Sequence, residues 1–175
     1  MQHAVGMSHN EMADIFSNWN TGKLESYLIE ITGYILRQKD KDDIPLVEKI
    51  LDRAGQKGTG LWTAQEALQQ AVPLTLITEA VHARMLSARK SERVAAATLL
   101  GGRPSSKHSG ERESWLTALH NALYAAKVVS YAQGFMLMRE ADMAYQWQLP
   151  YAEIAKLWRA GCIIRSRFLN DINSH

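Results

Sequence analysis

The sequence predicts an all-α fold, a multihelical domain built around long central helices. Three observations carry that reading. Apolar residues recur at spacings of three and four almost from end to end. Period-2 alternation bounded by turn residues is nearly absent, which leaves no material for a parallel sheet. Twice, at Ser8 with Glu11 and at Thr63 with Glu66, a hydroxyl residue precedes a glutamate by three positions beside an apolar run, the pattern of a capping box.

The elements follow in order. Behind Ser8, the residues Met12, Ile15, Phe16 and Trp19 mark one apolar face, which Asn20, Thr21 and Gly22 end. Leu24, Leu28, Ile31 and Ile35 predict a second helix that fades into the charged run 39–43, a solvated loop. Pro45 suits a first helical turn, and Val47, Ile50 and Leu51 form a short apolar stripe that stops at Gly55. Residues 55–60 are too glycine-rich to continue a helix, and the next one is expected to start at Thr63. Pro73 breaks that helix; Leu74, Ile77, Val81 and Met85 lay out another face, and 94–100 continue apolar up to Gly101 and Gly102. Residues 103–112 read as a polar surface loop. From Trp115 to about Met143 the chain is apolar almost all round, with small residues interleaved, as a central helix enclosed by others requires. Pro150 opens a last helix expected to carry Ile154, Leu157, Trp158, Ile164 and Phe168 almost to the end.

Composition narrows the function classes. The chain has 175 residues, 46% hydrophobic and 22% charged, values that belong to a folded protein rather than a disordered one. Twenty Lys and Arg against 18 Asp and Glu leave a net charge of +2, too little to make nucleic acid or an anionic membrane a partner by default. An anion site must therefore be local. Apolar runs are far shorter than the ~20 residues a bilayer span needs and the N-terminus lacks a signal-peptide pattern, so a soluble, cytoplasmic chain is expected. Cys162 is the only cysteine, which excludes an intrachain disulfide and a cysteine-built metal cage. Neither internal repeats nor an interdomain linker are evident, and the apolar helix running to the C-terminus is expected of a piece of something larger.

One segment carries chemistry. Gly55, Gly58 and Gly60 with Lys57 between them and Thr59 beside it describe a loop whose N–H groups can turn toward an anion, with Lys57 supplying full charge. A helix start just beyond adds unpaired donors and the positive end of a helix dipole. The spacing is neither that of a P-loop nor G-x-G-x-x-G, and no strand precedes it. A glycine-rich connector with an exposed lysine is the plain alternative. His82 and His120 read as ordinary helix residues without metal or triad spacing, Cys162 as an inert thiol within an apolar helix, and the methionines and tryptophans as packing.

The run Ile50-Leu51-Asp52-Arg53-Ala54-Gly55-Gln56-Lys57-Gly58-Thr59-Gly60-Leu61-Trp62 resembles the signature of decarboxylating 6-phosphogluconate dehydrogenase. The similarity extends through 26–32, 75–84, 130–135 and 158–166, and so covers essentially the whole chain apart from the variable loop at 101–112. The resemblance implies part of that family's C-terminal helical domain, used for substrate binding and dimerisation. The activity implied is oxidative decarboxylation of 6-phosphogluconate to ribulose 5-phosphate with reduction of NADP, in a homodimer. Lys57 matches the family lysine on the substrate phosphate, Arg84 a phosphate-binding arginine, and Thr59 a position that offers a hydroxyl to the same group. His82 falls where the family usually has an apolar aromatic. The resemblance also implies that the NADP-binding domain, the catalytic lysine and glutamate, and the C-terminal tail lie outside these 175 residues. The chain by itself is accordingly expected to be inactive, with no catalytic and no metal residue assigned. A second reading stays open: a non-catalytic helical dimerisation module, or a degenerate truncated homologue.

Overall fold

The computed structural model describes residues 1–101 and 110–173, and these are helical, with two isolated bridges and no strand among them. The helices are α1 (Gln2–Val5), α2 (His9–Trp19), α3 (Tyr27–Arg37), α4 (Thr59–Gln69), α5 (Thr75–Ala88), α6 (Lys90–Leu100), α7 (Arg112–Tyr145), α8 (Tyr151–Leu157) and α9 (Phe168–Asn173), with a 3-10 turn at Leu46–Lys49. The chain falls into two compact units. One is formed by the described parts of 1–50, 105–124 and 150–175, the other by those of 51–104 and 125–149. Most of the loop predicted at 103–112 lies outside the described residues, and Arg112 already opens α7.

In the first unit, α2 starts as its capping box requires. The Ser8 hydroxyl accepts from the Glu11 N–H at 3.3 Å, and the Glu11 carboxylate accepts from the Ser8 N–H at 2.7 Å. Those bonds, with the Arg112 guanidinium 2.9 Å away, hold the Glu11 carboxyl down at about 2. α2 packs on α3 at a close crossing where a Cβ on Gly33 would sit 3.3 Å from the Ser17 hydroxyl; Arg37 reaches that hydroxyl at 3.1 Å and pairs with Asp14. Trp19, Leu24 and Ile29 form a buried cluster with Leu119 and Tyr124 of α7 against it, and Met7, Met12 and Leu116 form a second. Leu24 precedes α3 instead of lying in it, because the helix starts only after the chain has turned at 21–24.

The single last helix expected from Pro150 is two. α8 stops at Leu157, Gly161 takes φ +68, a left-handed conformation that an L side chain disfavours, and α9 restarts at Phe168. Cys162 therefore sits in a turn, half-buried, and not within a helix. The intervening strip is tied to the start of α3 by Tyr27 N–H to the Arg165 carbonyl and Arg167 N–H to the Glu25 carbonyl, both 3.0 Å.

In the second unit, Ala67, Val72 and Leu74 make the buried cluster, with Ile77, Met136 and Leu137 packed on it. Gln133 of α7 is the polar pin. Its amide oxygen accepts from the Leu76 and Ile77 N–H groups at 3.0 and 3.2 Å, so the first turn of α5 is capped by a side chain more than fifty residues away. α7 is not enclosed on every side as its composition predicts. Val129 and Met143 of this unit remain exposed, as does Leu123 of the first.

Candidate functional site

α4 does not begin at the predicted Thr63 cap. It begins one turn earlier, at Thr59, with Gly58 as N-cap at φ +98. The Thr63 hydroxyl instead donates back to the Thr59 carbonyl at 2.9 Å, a bond made inside a helix. Gly60 allows the earlier start. A Cβ there would stand 2.9 Å from Val81 Cγ2, so the first turn of α4 lies against α5 at a distance only hydrogen permits.

The consequence is a helix N-terminus placed directly on the glycine segment. The first intrahelical bond runs from the Trp62 N–H to the Gly58 carbonyl at 2.9 Å, which leaves the N–H groups of Thr59, Gly60 and Leu61 without an intrahelical acceptor, and no side chain caps them. Lys57 is exposed and its ammonium has no partner among the described residues. Thr59 is exposed at the first helical position. Arg84, on α5, is exposed, and one terminal nitrogen of its guanidinium donates to the Gly55 carbonyl, at the head of the segment that carries Lys57 and Thr59. Arg84 does not pair with Glu79.

Two residues that sequence reasoning passed over, Ser87 and Arg93, hold this segment down. The Ala54 N–H donates to the Ser87 hydroxyl at 3.0 Å. Arg93 of α6 donates to the Asp52 carboxylate at 3.0 Å, to the Asp52 carbonyl at 2.9 Å and to the Ser87 carbonyl at 3.2 Å. The bonded Arg93 guanidinium keeps the Asp52 carboxyl below the usual carboxylate range. An ionised Asp52 already matched by Arg93 adds little net negative charge to a segment suited to anions. No spacing rule links an aspartate to an arginine 41 positions on; only the lone Asp52 in an otherwise cationic and glycine-rich run hinted that it needs a partner.

Near the start of α3, the arginines at 165 and 167 face carboxylates, while Arg159 donates to the neutral Asn170 side chain at 3.3 Å. Arg165 pairs with Glu30 at 2.7 Å and lies 5.7 Å over the Tyr27 ring, while Arg167 stands 3.9 Å from Glu25. His82 is exposed on α5, and His120 meets the Trp19 ring edge-on at 5.5 Å. No group of three or more His, Cys, Asp or Glu among the described residues is arranged to hold a metal, and no described helix is long and apolar enough to cross a membrane.

Residues 1–175 match the family model described as 6-phosphogluconate dehydrogenase, C-terminal domain. A 6-phosphogluconate dehydrogenase, decarboxylating, from Schizosaccharomyces pombe is 60% identical over 172 residues, covering 98% of this chain and 35% of that protein. The Staphylococcus epidermidis protein of the same name is 52% identical over 172 residues, covering 98% of this chain and 36% of its own. Among solved structures, Plasmodium falciparum 6-phosphogluconate dehydrogenase, described in apo form and in complex with its cofactor NADP+ and its substrate 6-phosphogluconate, matches with a TM-score of 0.93 and 38% identity. It covers 99% of this chain and 38% of that one. The chain thus spans about a third of the length of the curated relatives it matches. Helix order, the glycine segment at the head of α4 and a family match along the full sequence agree: the chain belongs to the 6-phosphogluconate dehydrogenase family, in the part that forms its C-terminal helical domain.

Proposed function

We propose that this chain supplies the phosphate-holding part of the substrate site in a decarboxylating 6-phosphogluconate dehydrogenase, as one partial helical domain for substrate binding and dimerisation. The reaction is oxidation and decarboxylation of 6-phosphogluconate to ribulose 5-phosphate and CO2, with NADP reduced to NADPH. The observation that carries the reading is the Arg84 guanidinium donating to the Gly55 carbonyl, on the same short segment as the unpartnered Lys57 and the three unpaired N–H groups of α4.

A phosphate dianion needs charge and several directed donors once water is removed. Lys57 offers a compact mobile charge, Arg84 the rest of a planar fork whose one nitrogen is already anchored, and the N–H groups of Thr59, Gly60 and Leu61 a fixed set of dipoles, with the Thr59 hydroxyl beside them. Anchoring Arg84 to the loop reduces the side-chain entropy lost on binding. Following the family resemblance, NADP is assigned to the part of the enzyme outside this chain, and no step through it is given to these residues. The exposed Leu99 and Leu100 at the end of α6, which buries no residue, support assembly with a second copy.

Two measurements test the reading. The purified 175-residue polypeptide, given 6-phosphogluconate and NADP, is expected to form no NADPH and to sediment above monomer mass; turnover or a strict monomer contradicts it. Inorganic phosphate is expected to shift the amide resonances of Thr59, Gly60 and Leu61. Lys57→Ala should weaken that binding about tenfold or more, the loss expected for one charged hydrogen bond. Equal affinity in the variant favours a helical module without a substrate site.

A further inference from the structure

We infer that Arg93 is a positioning residue: through Asp52 and Ser87 it sets the backbone of residues 52–58 so that Lys57 faces an anion held at the head of α4. The inference rests on the substrate-phosphate reading above and adds to it a residue that would touch no ligand.

Residues 50–58 form neither helix nor strand, so they have no ladder of their own to fix them. Their order comes from three side chains outside the segment. Arg84 takes the Gly55 carbonyl, the Ser87 hydroxyl takes the Ala54 N–H at 3.0 Å, and Arg93 takes both the carbonyl and the carboxylate of Asp52. Arg93 also donates to the Ser87 carbonyl at 3.2 Å, so one guanidinium spans the two backbone pieces that must stay in register, the loop and the C-terminal end of α5. The fork divides the work: one terminal nitrogen takes the Asp52 carboxylate while the other takes both carbonyls, in a geometry the planar guanidinium fixes in advance. The Arg93 side chain is only 30% exposed and its Nε is buried without a partner, so its two terminal nitrogens carry all of its hydrogen bonding. Three hydrogen bonds from one half-buried guanidinium fix it in place, and the loop stays with it.

Arg84 alone cannot do this. It holds one carbonyl from an exposed position, and in the proposed site part of its fork turns to the phosphate. Arg93 leaves the ligand to others and keeps the frame.

The test uses the 175-residue chain with inorganic phosphate as probe and compares Arg93→Gln, Arg93→Lys and Lys57→Ala. Hydrogen exchange at the Ala54 amide reads loop order, phosphate titration reads the site, and circular dichroism checks the helices. Arg93→Gln is expected to speed Ala54 exchange and to weaken phosphate binding about three- to tenfold, the cost of re-ordering a short segment, while helicity is kept. Arg93→Lys should recover part of both effects, because an ammonium keeps the charge and its donors but not the fixed fork. Unchanged Ala54 exchange, or faster exchange with unchanged phosphate affinity, overturns the inference and leaves the phosphate site standing if Lys57→Ala still loses binding. Wild-type chain that binds no phosphate sinks the site itself, and with it the role given to Arg93. If Arg93→Gln loses its helices, Asp52→Ala is read instead: it removes the carboxylate bond and leaves the two carbonyl bonds, so exchange and affinity moved part of the way expected for Arg93→Gln support the inference, whereas wild-type values overturn it.

Discussion

Leu24→Ala is expected to cost about 2–5 kcal/mol of unfolding free energy, the range for a leucine truncated in a core that collapses only partly around the gap. The side chain is fully buried and belongs to one cluster with Trp19 and Ile29. Around that cluster stand Met1, Ile15, Phe16, Leu119 and Tyr124, contributed by the N-terminus, by α2 and by α7. Leu24 thus fastens segments about a hundred residues apart, and none of its neighbours can move in without giving up its own packing. Leu28, in the first turn of α3, is half exposed, and Leu28→Ala should stay within about 1 kcal/mol of the parent. Urea unfolding followed by far-ultraviolet circular dichroism separates the two. Equal midpoints for the two variants would remove Leu24 from the core.

How much of this was legible in the sequence depends on the distance over which each feature is decided. The Ser8–Glu11 box is settled within four residues, and it stands as the spacing predicts. The all-α class needs only periodicity, and the family match agrees with it. The Thr63–Glu66 pattern has the same letters and fails, because the start of α4 is fixed elsewhere: Gly58 adopts a left-handed φ, and Gly60 lets the first turn lie on Val81. That contact is tertiary, and no local rule contains it. The run from Pro150 onward misleads for the opposite reason. Ile164 keeps helical spacing with Leu157 and Phe168, but it is exposed, and Gly161 had already turned the chain. Lys57, Thr59 and Arg84 were singled out through the resemblance, with the glycine loop as a generic sign of anion binding. Asp52, Ser87 and Arg93 are ordinary polar residues in one dimension, and only folding brings them to one place.

Gly60→Val is expected to destabilise the second unit by about 3 kcal/mol, the upper part of the usual overpacking range. The first added carbon alone would lie 2.9 Å from Val81 Cγ2, and valine at both positions leaves neither side chain a free χ1 to escape through. Helix propensity does not offset this, since Val gains little over Gly in an opening turn. The strain is relieved by lifting the first turn of α4 away from α5, which carries the Thr59, Gly60 and Leu61 N–H groups with it. Phosphate binding should therefore be lost beyond what the stability change explains, because a lifted terminus misdirects every donor at once. The clash can be isolated with the smaller pair Gly60→Ala and Val81→Ala. Removing the methyls that the new Cβ meets should make the double variant more stable than the sum of the singles predicts, by about 1 kcal/mol or more. Gly55→Ala is the control from the same loop: its Cβ meets nothing within 4 Å and its φ is unexceptional, so stability should be unchanged or slightly raised by the stiffer unfolded chain. Strict additivity between positions 60 and 81, with Gly55→Ala as harmful as Gly60→Ala, would mean that glycine here serves flexibility and not close approach, and the reason given for the early start of α4 would fall.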